Sequence, residues 1–347
     1  MSLDVLWFII IAVFWTGFFV LEGFDFGVGV LHQVVGRTDT ERRVAINAIG
    51  PLWDGNEVWL IVGGAAIFAA FPSWYATWFS AGYLALMLVI VALILRGVSF
   101  EWRAKLDTDR WRGTWSWALT IGSLLTPLLL GVALGDLLAG LPIDSSQEFT
   151  GTFWDLLTPY GLWLGLTLLV LCASHGATFL GLRTTGPVVV RSRELARRLG
   201  VPTLVCVAVY AVWTVAISDA GAWRILAAAV PVVAAAAAVV LVRAERGGQA
   251  FAASALTVGG VVAALFANLY PAVLVSSTSA ANTLTVADTA ASHYALTVMT
   301  WVAVAVFPLV LLYQGWSYWV FRARISAPPD PAGDTGQLRP AGRRPRG

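Results

Sequence analysis

Apolar residues fill this chain in long stretches, broken at fairly even intervals by short polar segments. A helix that crosses a bilayer needs about 20 mostly apolar residues. Runs of that length are predicted at roughly residues 5–34, 51–71, 78–98, 113–139, 155–182, 200–217, 224–243, 250–275 and 292–321. Short loops between them make neighbours antiparallel, and no period-two alternation or tandem repeat competes with the helical reading. The expected fold is all-α, a polytopic membrane bundle of about nine transmembrane helices.

The loops alternate in charge. Arg37, Arg42 and Arg43 follow the first run, Arg96, Arg103, Lys105, Arg110 and Arg112 the third, and Arg183, Arg191, Arg193, Arg197 and Arg198 the fifth. Arg243 and Arg246 follow the seventh, and Arg322, Arg324, Arg343, Arg344 and Arg346 the ninth, whereas the intervening loops are nearly free of basic residues. Basic loops stay on the cytoplasmic side, so the N-terminus is expected outside and the C-terminus inside. Beyond Arg324 the chain is rich in Pro, Gly and Arg and has too little apolar surface to order itself. This divides the chain into one transmembrane domain, 1–324, and a disordered cytoplasmic tail, 325–347.

Composition supports the membrane reading. Hydrophobic residues make up 58% of the chain and charged residues 12%, against about 25% charged in a soluble domain. A net charge of +2 gives no footprint for nucleic acid. Met1-Ser2-Leu3-Asp4 lacks a basic leader, so the first run should remain as a span. Cys172 and Cys206 lie inside apolar runs without a CxxC pattern and read as small buried residues. The glycine pairs Gly23 and Gly27, Gly131 and Gly135, and Gly161 and Gly165 have the small-xxx-small spacing of close helix contacts. Trp74, Trp78, Trp111, Trp115, Trp117, Trp316 and Trp319 sit near span ends as an interfacial belt.

Against this background the acidic residues stand out, because a carboxylate at mid-membrane costs roughly 2.5 to 3.5 kcal/mol on insertion scales. Glu22 and Asp25 lie at i and i+3 in the cytoplasmic half of the first run, and Asp54 and Glu57 share that spacing at the start of the second. As antiparallel neighbours these helices can bring four carboxylates to similar depth. A proton or cation path follows from the residue types, and a structural cluster paired to Arg96 is the alternative. Asp54 alone would also suit the positive end of a helix dipole. Glu101 and Lys105 are i, i+4 if the stretch after the third run is helical, forming either a surface salt bridge or a mouth that gathers protons. His32 and His175, on different helices, are the only histidines that could pair on a b-type haem; hydrogen-bonded or interfacial roles are the simpler reading.

The segments Gly23-Phe24-Asp25-Phe26-Gly27-Val28-Gly29, Asp39-Thr40-Glu41-Arg42-Arg43, Trp53-Asp54-Gly55-Asn56-Glu57-Val58-Trp59 and Leu296-Thr297-Val298-Met299-Thr300-Trp301 together resemble subunit II of the cytochrome bd quinol oxidases. The resemblance implies a multi-pass protein of the bacterial cytoplasmic (inner) membrane, paired as a heterodimer with a subunit I of similar fold. It implies that subunit I carries two b-type haems and haem d, with none ligated by this chain. The complex would oxidise quinol, reduce dioxygen to water and take protons from the cytoplasm, building a proton-motive force without pumping. The resemblance also implies a proton pathway through Asp54, fed by Glu101 and Lys105, where Glu101 stands for an acid that can be aspartate in the family. Glu22, Asp25 and Glu57 would hold water or pair charges beside it, and Trp59 would line an oxygen entry. A small accessory subunit, membrane lipid and a structural quinone are left open as further partners. The competing class is a proton-coupled secondary transporter using the acids of the first two helices.

Overall fold

The computed structural model describes residues 1–218 and 221–326. Among them the helices are α1 (Leu3–Val35), α2 (Asp39–Ile49), α3 (Trp53–Ala70), α4 (Pro72–Ala81), α5 (Tyr83–Trp102), α6 (Asp109–Ala139), α7 (Pro159–Arg183), α8 (Gly186–Ile217), α9 (Ala222–Arg243), α10 (Gly247–Leu269), α11 (Val286–Thr289) and α12 (His293–Val320). Eight of these, α1, α5 to α10 and α12, are long and apolar enough to cross a membrane. The ninth expected span is α3, an 18-residue helix. At 1.5 Å per residue it reaches about 27 Å, close to a hydrocarbon core of ~30 Å. Asp54, Asn56 and Glu57 stand in its first turns.

α1 is the axis of the bundle and packs against α2, α3, α6, α7, α10 and α12. Backbone approaches backbone where glycines allow it. Gly131 and Gly135 of α6 lie against Gly165 and Gly161 of α7, where an added Cβ would come within 2.6 Å of a glycine Cα. Gly27 of α1 meets Gly176 of α7 in the same way, leaving no room for any side chain. These contacts give the helices van der Waals contact that apolar lipid cannot compete with.

Several stretches expected as loops are ordered. The polar segment after α1 forms α2, started by a capping box: Thr38 Oγ1 accepts from the Glu41 amide at 3.2 Å, and Glu41 Oε2 accepts from the Thr38 amide at 3.2 Å. Glu41 also accepts from Arg191 of α8 at 2.6 and 2.9 Å. That bidentate pairing holds the Glu41 carboxyl down at about 2. The basic segment before residue 200 is likewise helical, because α8 begins at Gly186 with Pro187 in its first turn. The expected run 78–98 is interrupted at Gly82, between α4 and α5.

On the opposite side, the expectation of a strand-free chain fails locally. β1 (Ala272–Leu274) pairs antiparallel with β2 (Leu284–Thr285), and the Ile143 carbonyl accepts from Ser276 Oγ and Asn282 Nδ2, each at 3.0 Å. A loop that must cap buried helix ends satisfies its own backbone this way. The boundary of the expected tail also moves. Ile325 donates to the Arg183 carbonyl at 2.7 Å and accepts from the Thr185 amide at 3.1 Å, pinning the chain beyond α12 to the α7–α8 junction. Residues 327–347 of the expected tail lie outside the described residues.

Candidate functional site

Three carboxylates converge where α1, α3 and α5 meet. Glu22 and Asp25 project from α1 and are fully buried. Arg96, also fully buried on α5, donates to Glu57 Oε2 at 3.0 Å and forms an ion pair with Glu22. Its guanidinium lies over the rings of Phe26, Phe100 and Trp53, at 4.8, 5.3 and 5.8 Å from their centroids. Trp53 and Phe100 stack on each other at 4.7 Å, which fixes two of those walls. Gly122 of α6 makes the space, since a Cβ there would press on the Ala92 carbonyl at 2.5 Å and on Arg96 Cβ at 2.9 Å.

Asn56 ties the cluster to the last span. Its Nδ2 donates to Asp25 Oδ2 at 2.7 Å and to the Leu21 carbonyl at 3.1 Å. Its Oδ1 accepts from Gln314 Nε2 at 2.7 Å and from the Tyr318 hydroxyl at 2.9 Å. Both donors and both lone pairs of the amide are therefore used. Two carboxylate oxygens, Glu22 Oε2 and Asp25 Oδ1, are buried without a hydrogen-bond partner among the described residues. With one guanidinium facing three carboxylates, the site carries more acid than its own cation neutralises, a condition that invites protons, water or an outside charge.

The four expected acids are not all brought together. Asp54 is exposed on the outward face of α3, and the ion pairs and hydrogen bonds of the described residues do not include its side chain. Two positions on, Asn56 is fully buried, while the Glu57 side chain is 22% exposed and bridges the interior to that outer face. Glu101 and Lys105 do not form a helical pair. α5 ends at Trp102, Lys105 lies in the turn beyond it, and both side chains are exposed without an ion pair between them. Between them the chain turns Arg103 inward, where it pairs with Asp39 and donates from Nε to Ser116 Oγ at 2.8 Å.

Trp59 stands where two apolar cavities meet. Its indole packs edge-on against Phe14 at 6.1 Å and Phe307 at 5.9 Å, and only glycine fits at Gly17, whose Cβ would fall 2.5 Å from the ring. A cavity of about 1020 Å³ opens between α1, α10 and α12, and another of about 450 Å³ between α3 and α12; Trp59, Phe307 and Gln314 line both. Both candidate histidines are hydrogen-bonded within the bundle. His175 uses both ring nitrogens, Nδ1 with Ser254 Oγ at 2.7 Å and Nε2 with the Val20 carbonyl at 3.2 Å, and His32 Nδ1 is held by the Gly29 carbonyl at 2.7 Å. Among the described residues no group of three His, Cys, Asp or Glu side chains could hold a metal ion.

Sequence reasoning singled out Glu22, Asp25, Glu57 and Arg96 but missed Gln314 and Tyr318. The available signal was two polar side chains at i, i+4 in the otherwise apolar α12.

Comparison with known proteins covers nearly the whole chain. The sequence profile described as cytochrome bd terminal oxidase subunit II matches residues 3–321. The chain is 41% identical over 329 residues to the cytochrome bd ubiquinol oxidase subunit 2 of Bacillus subtilis (strain 168), covering 94% of this chain and 97% of that one. It is 38% identical over 358 residues to the cytochrome bd-I ubiquinol oxidase subunit 2 of Escherichia coli (strain K12), covering 92% and 94%. In fold it is similar to a chain of the bd oxidase from Geobacillus thermodenitrificans, with a TM-score of 0.74 and 19% identity over 92% of this chain and 99% of that one.

Proposed function

The chain belongs to the cytochrome bd terminal oxidase subunit II family, and from that premise we propose that it is the subunit that shapes proton delivery to a haem-bearing subunit I. As a member of this family it is one subunit of a quinol oxidase, a multi-span membrane protein of a respiratory complex, and the complex contains haem. The transporter reading finds no support in these relatives. The complex oxidises quinol, reduces dioxygen to water and draws its protons from the cytoplasm, where the basic loops and the C-terminus lie. The two b-type haems and haem d are assigned to subunit I; within this chain His175 has both ring nitrogens hydrogen-bonded and His32 has Nδ1 bonded to the Gly29 carbonyl. The location is the bacterial inner membrane, with lipid around the bundle and room beside it for a structural quinone or a small accessory subunit.

The observation that carries the reading is the position of Asp54. A carboxylate facing hydrocarbon is costly, most at mid-membrane and less near a span end such as the first turn of α3, where Asp54 sits. Asp54 nevertheless points outward from α3, beside the half-covered Glu57. The flanking helices are poorly covered as well: only 22% of the α5 span and 6% of the α12 span is buried within the chain. A partner subunit laid over α3, α5 and α12 removes Asp54 from lipid and places it at the subunit boundary. Protons enter near the exposed Glu101 and Lys105, pass to Asp54 and leave this chain towards subunit I. The Glu22, Asp25, Glu57 and Arg96 cluster sets the local field behind that path and holds α3 in place. Trp59, walled by Phe14 and Phe307, forms the inner end of an apolar recess that admits oxygen.

The test is a reduced-minus-oxidised visible spectrum of the purified chain, expressed alone and together with subunit I. Haem bands appearing only in the co-expressed sample support the assignment. Haem bound by the chain alone would overturn it and return His32 and His175 to consideration as ligands.

A further inference from the structure

Away from the acid cluster, on the other flank of α1, the helices α7, α8, α9 and α10 enclose a narrow seam whose mostly apolar walls carry several hydroxyls. Two small chambers make it up, with volumes of about 40 Å³ and 20 Å³. They adjoin at Thr178, Ala196 and Val242, which line both. The outer chamber opens at the face that carries the basic loops, where Arg197 donates to Glu245 Oε1 at 2.7 Å across the turn between α9 and α10. The inner chamber ends against Ser254. On that scale one water molecule needs roughly 10 to 15 Å³, so the chambers fit water and exclude larger ligands.

Hydroxyls line the inner chamber, and their protons are already committed. Thr203 donates to the Leu199 carbonyl and Thr257 to the Ala253 carbonyl, each at 2.8 Å. Their oxygens keep lone pairs that only an outside donor can fill. Ser174 is more than nine-tenths buried, lines the same chamber, and is without a hydrogen bond among the described residues. The seam also touches His175 through Ser254. His175 Nε2 lies 3.2 Å from the Val20 carbonyl and Nδ1 lies 2.7 Å from Ser254 Oγ, whose single proton serves either this nitrogen or the Phe251 carbonyl at 2.8 Å. The Ser254 oxygen also lies 3.2 Å from Thr178 Oγ1, so it links the imidazole to the hydroxyls of the chamber wall.

We propose that this seam is a binding site for a short file of ordered waters, which joins the basic face of the protein to the buried Ser254 and His175 pair. It is separate from the path through Asp54, because it lies within the C-terminal half of the chain and needs no partner subunit to close it. Water bound there gives the Ser174 hydroxyl a partner and, through Ser254, gives His175 a hydrogen-bonded route to bulk solvent.

X-ray radiolytic footprinting of the detergent-solubilised complex tests this, since hydroxyl radicals formed from bound water label the side chains they touch even when those are buried. Leu171 and His175, beside the seam, should be oxidised at least about tenfold faster than Leu168, an equally buried residue of the same helix outside it. The Ala196→Leu variant, which fills the junction of the two chambers, should abolish the difference. Thr257→Val, which keeps the volume but removes a hydroxyl, should lower it several-fold and serves if Ala196→Leu fails to assemble. Equal, slow labelling of Leu171, His175 and Leu168 in the unaltered complex would overturn the proposal. So would labelling of His175 that neither variant changes.

Discussion

The two flanks of α1 bury polar groups by opposite means. Towards α3 and α5, Glu22, Asp25, Glu57 and Arg96 are ionisable and depend on one another, and Asn56 is saturated by four bonds from two helices, α1 and α12. Towards α7 and α10 the polar groups are an imidazole and hydroxyls, which lean on carbonyls of the backbone: Thr257 on Ala253, Thr203 on Leu199, His175 on Val20. A hydroxyl that bonds to its own helix remains satisfied when its neighbours change. A charge in a shared cluster does not, because removing its partner leaves it buried and uncompensated. The first flank is therefore brittle and the second tolerant.

Substitutions can break or sharpen that contrast. Arg96→Met should have the largest effect, about 3 to 5 kcal/mol of destabilisation, because it strands buried carboxylates. The measurement is the yield of assembled complex, and adding Glu22→Gln and Glu57→Gln should restore part of it. Asp54→Asn should leave assembly intact and lower oxygen consumption by at least about tenfold, equivalent to roughly 1.4 kcal/mol in barrier. Unchanged turnover in that variant would remove Asp54 from the proton path. Asn56→Leu should cost about 1 to 3 kcal/mol by leaving Asp25, Gln314 and Tyr318 short of partners, seen as a lower melting temperature. Glu41 gives a pH test outside the membrane. Its carboxyl falls from 4.5 to about 2 on folding, so its contribution is complete above the unfolded value and is lost as pH drops through the interval to about 2. Thermal stability should fall across that window, and less steeply in Glu41→Gln. At the small end, His175→Gln should cost no more than about 1 kcal/mol, since an amide can replace both imidazole bonds.

Much of this was legible in the sequence, and the failures have physical causes. Long apolar runs and arginine-bearing loops gave the spans, because a bilayer imposes a length and a charge asymmetry on every crossing. The i, i+3 rule placed Asp54 beside Glu57, yet three residues of helix turn through about 300° at 3.6 residues per turn. The remaining offset of about 60° is enough to send one side chain to the outer surface and the other to Arg96. Arg103 read as a loop charge because nothing local announces that Asp39 and Ser116, far along the chain, will receive it. The α2 capping box was present as Thr38 and Glu41 but lay in a stretch too polar to resemble a span. Gln314 and Tyr318 were hidden by the apolar length of α12, whose partners come from the first 60 residues.

The ties between α12 and the start of the chain also impose an order in time. Trp7 donates to the Leu296 carbonyl and to Thr300, Asn56 receives Gln314 and Tyr318, and Ile325 zips onto the α7–α8 junction through backbone hydrogen bonds. During synthesis the ribosome delivers these groups last. Until α12 and Ile325 emerge, the nascent bundle holds the Asn56 amide oxygen, the Trp7 indole N–H, the Arg183 carbonyl and the Thr185 amide with nothing to meet them. The chain becomes self-consistent only when its end reaches its beginning, so a truncated translation product carries an internal mark of its own incompleteness.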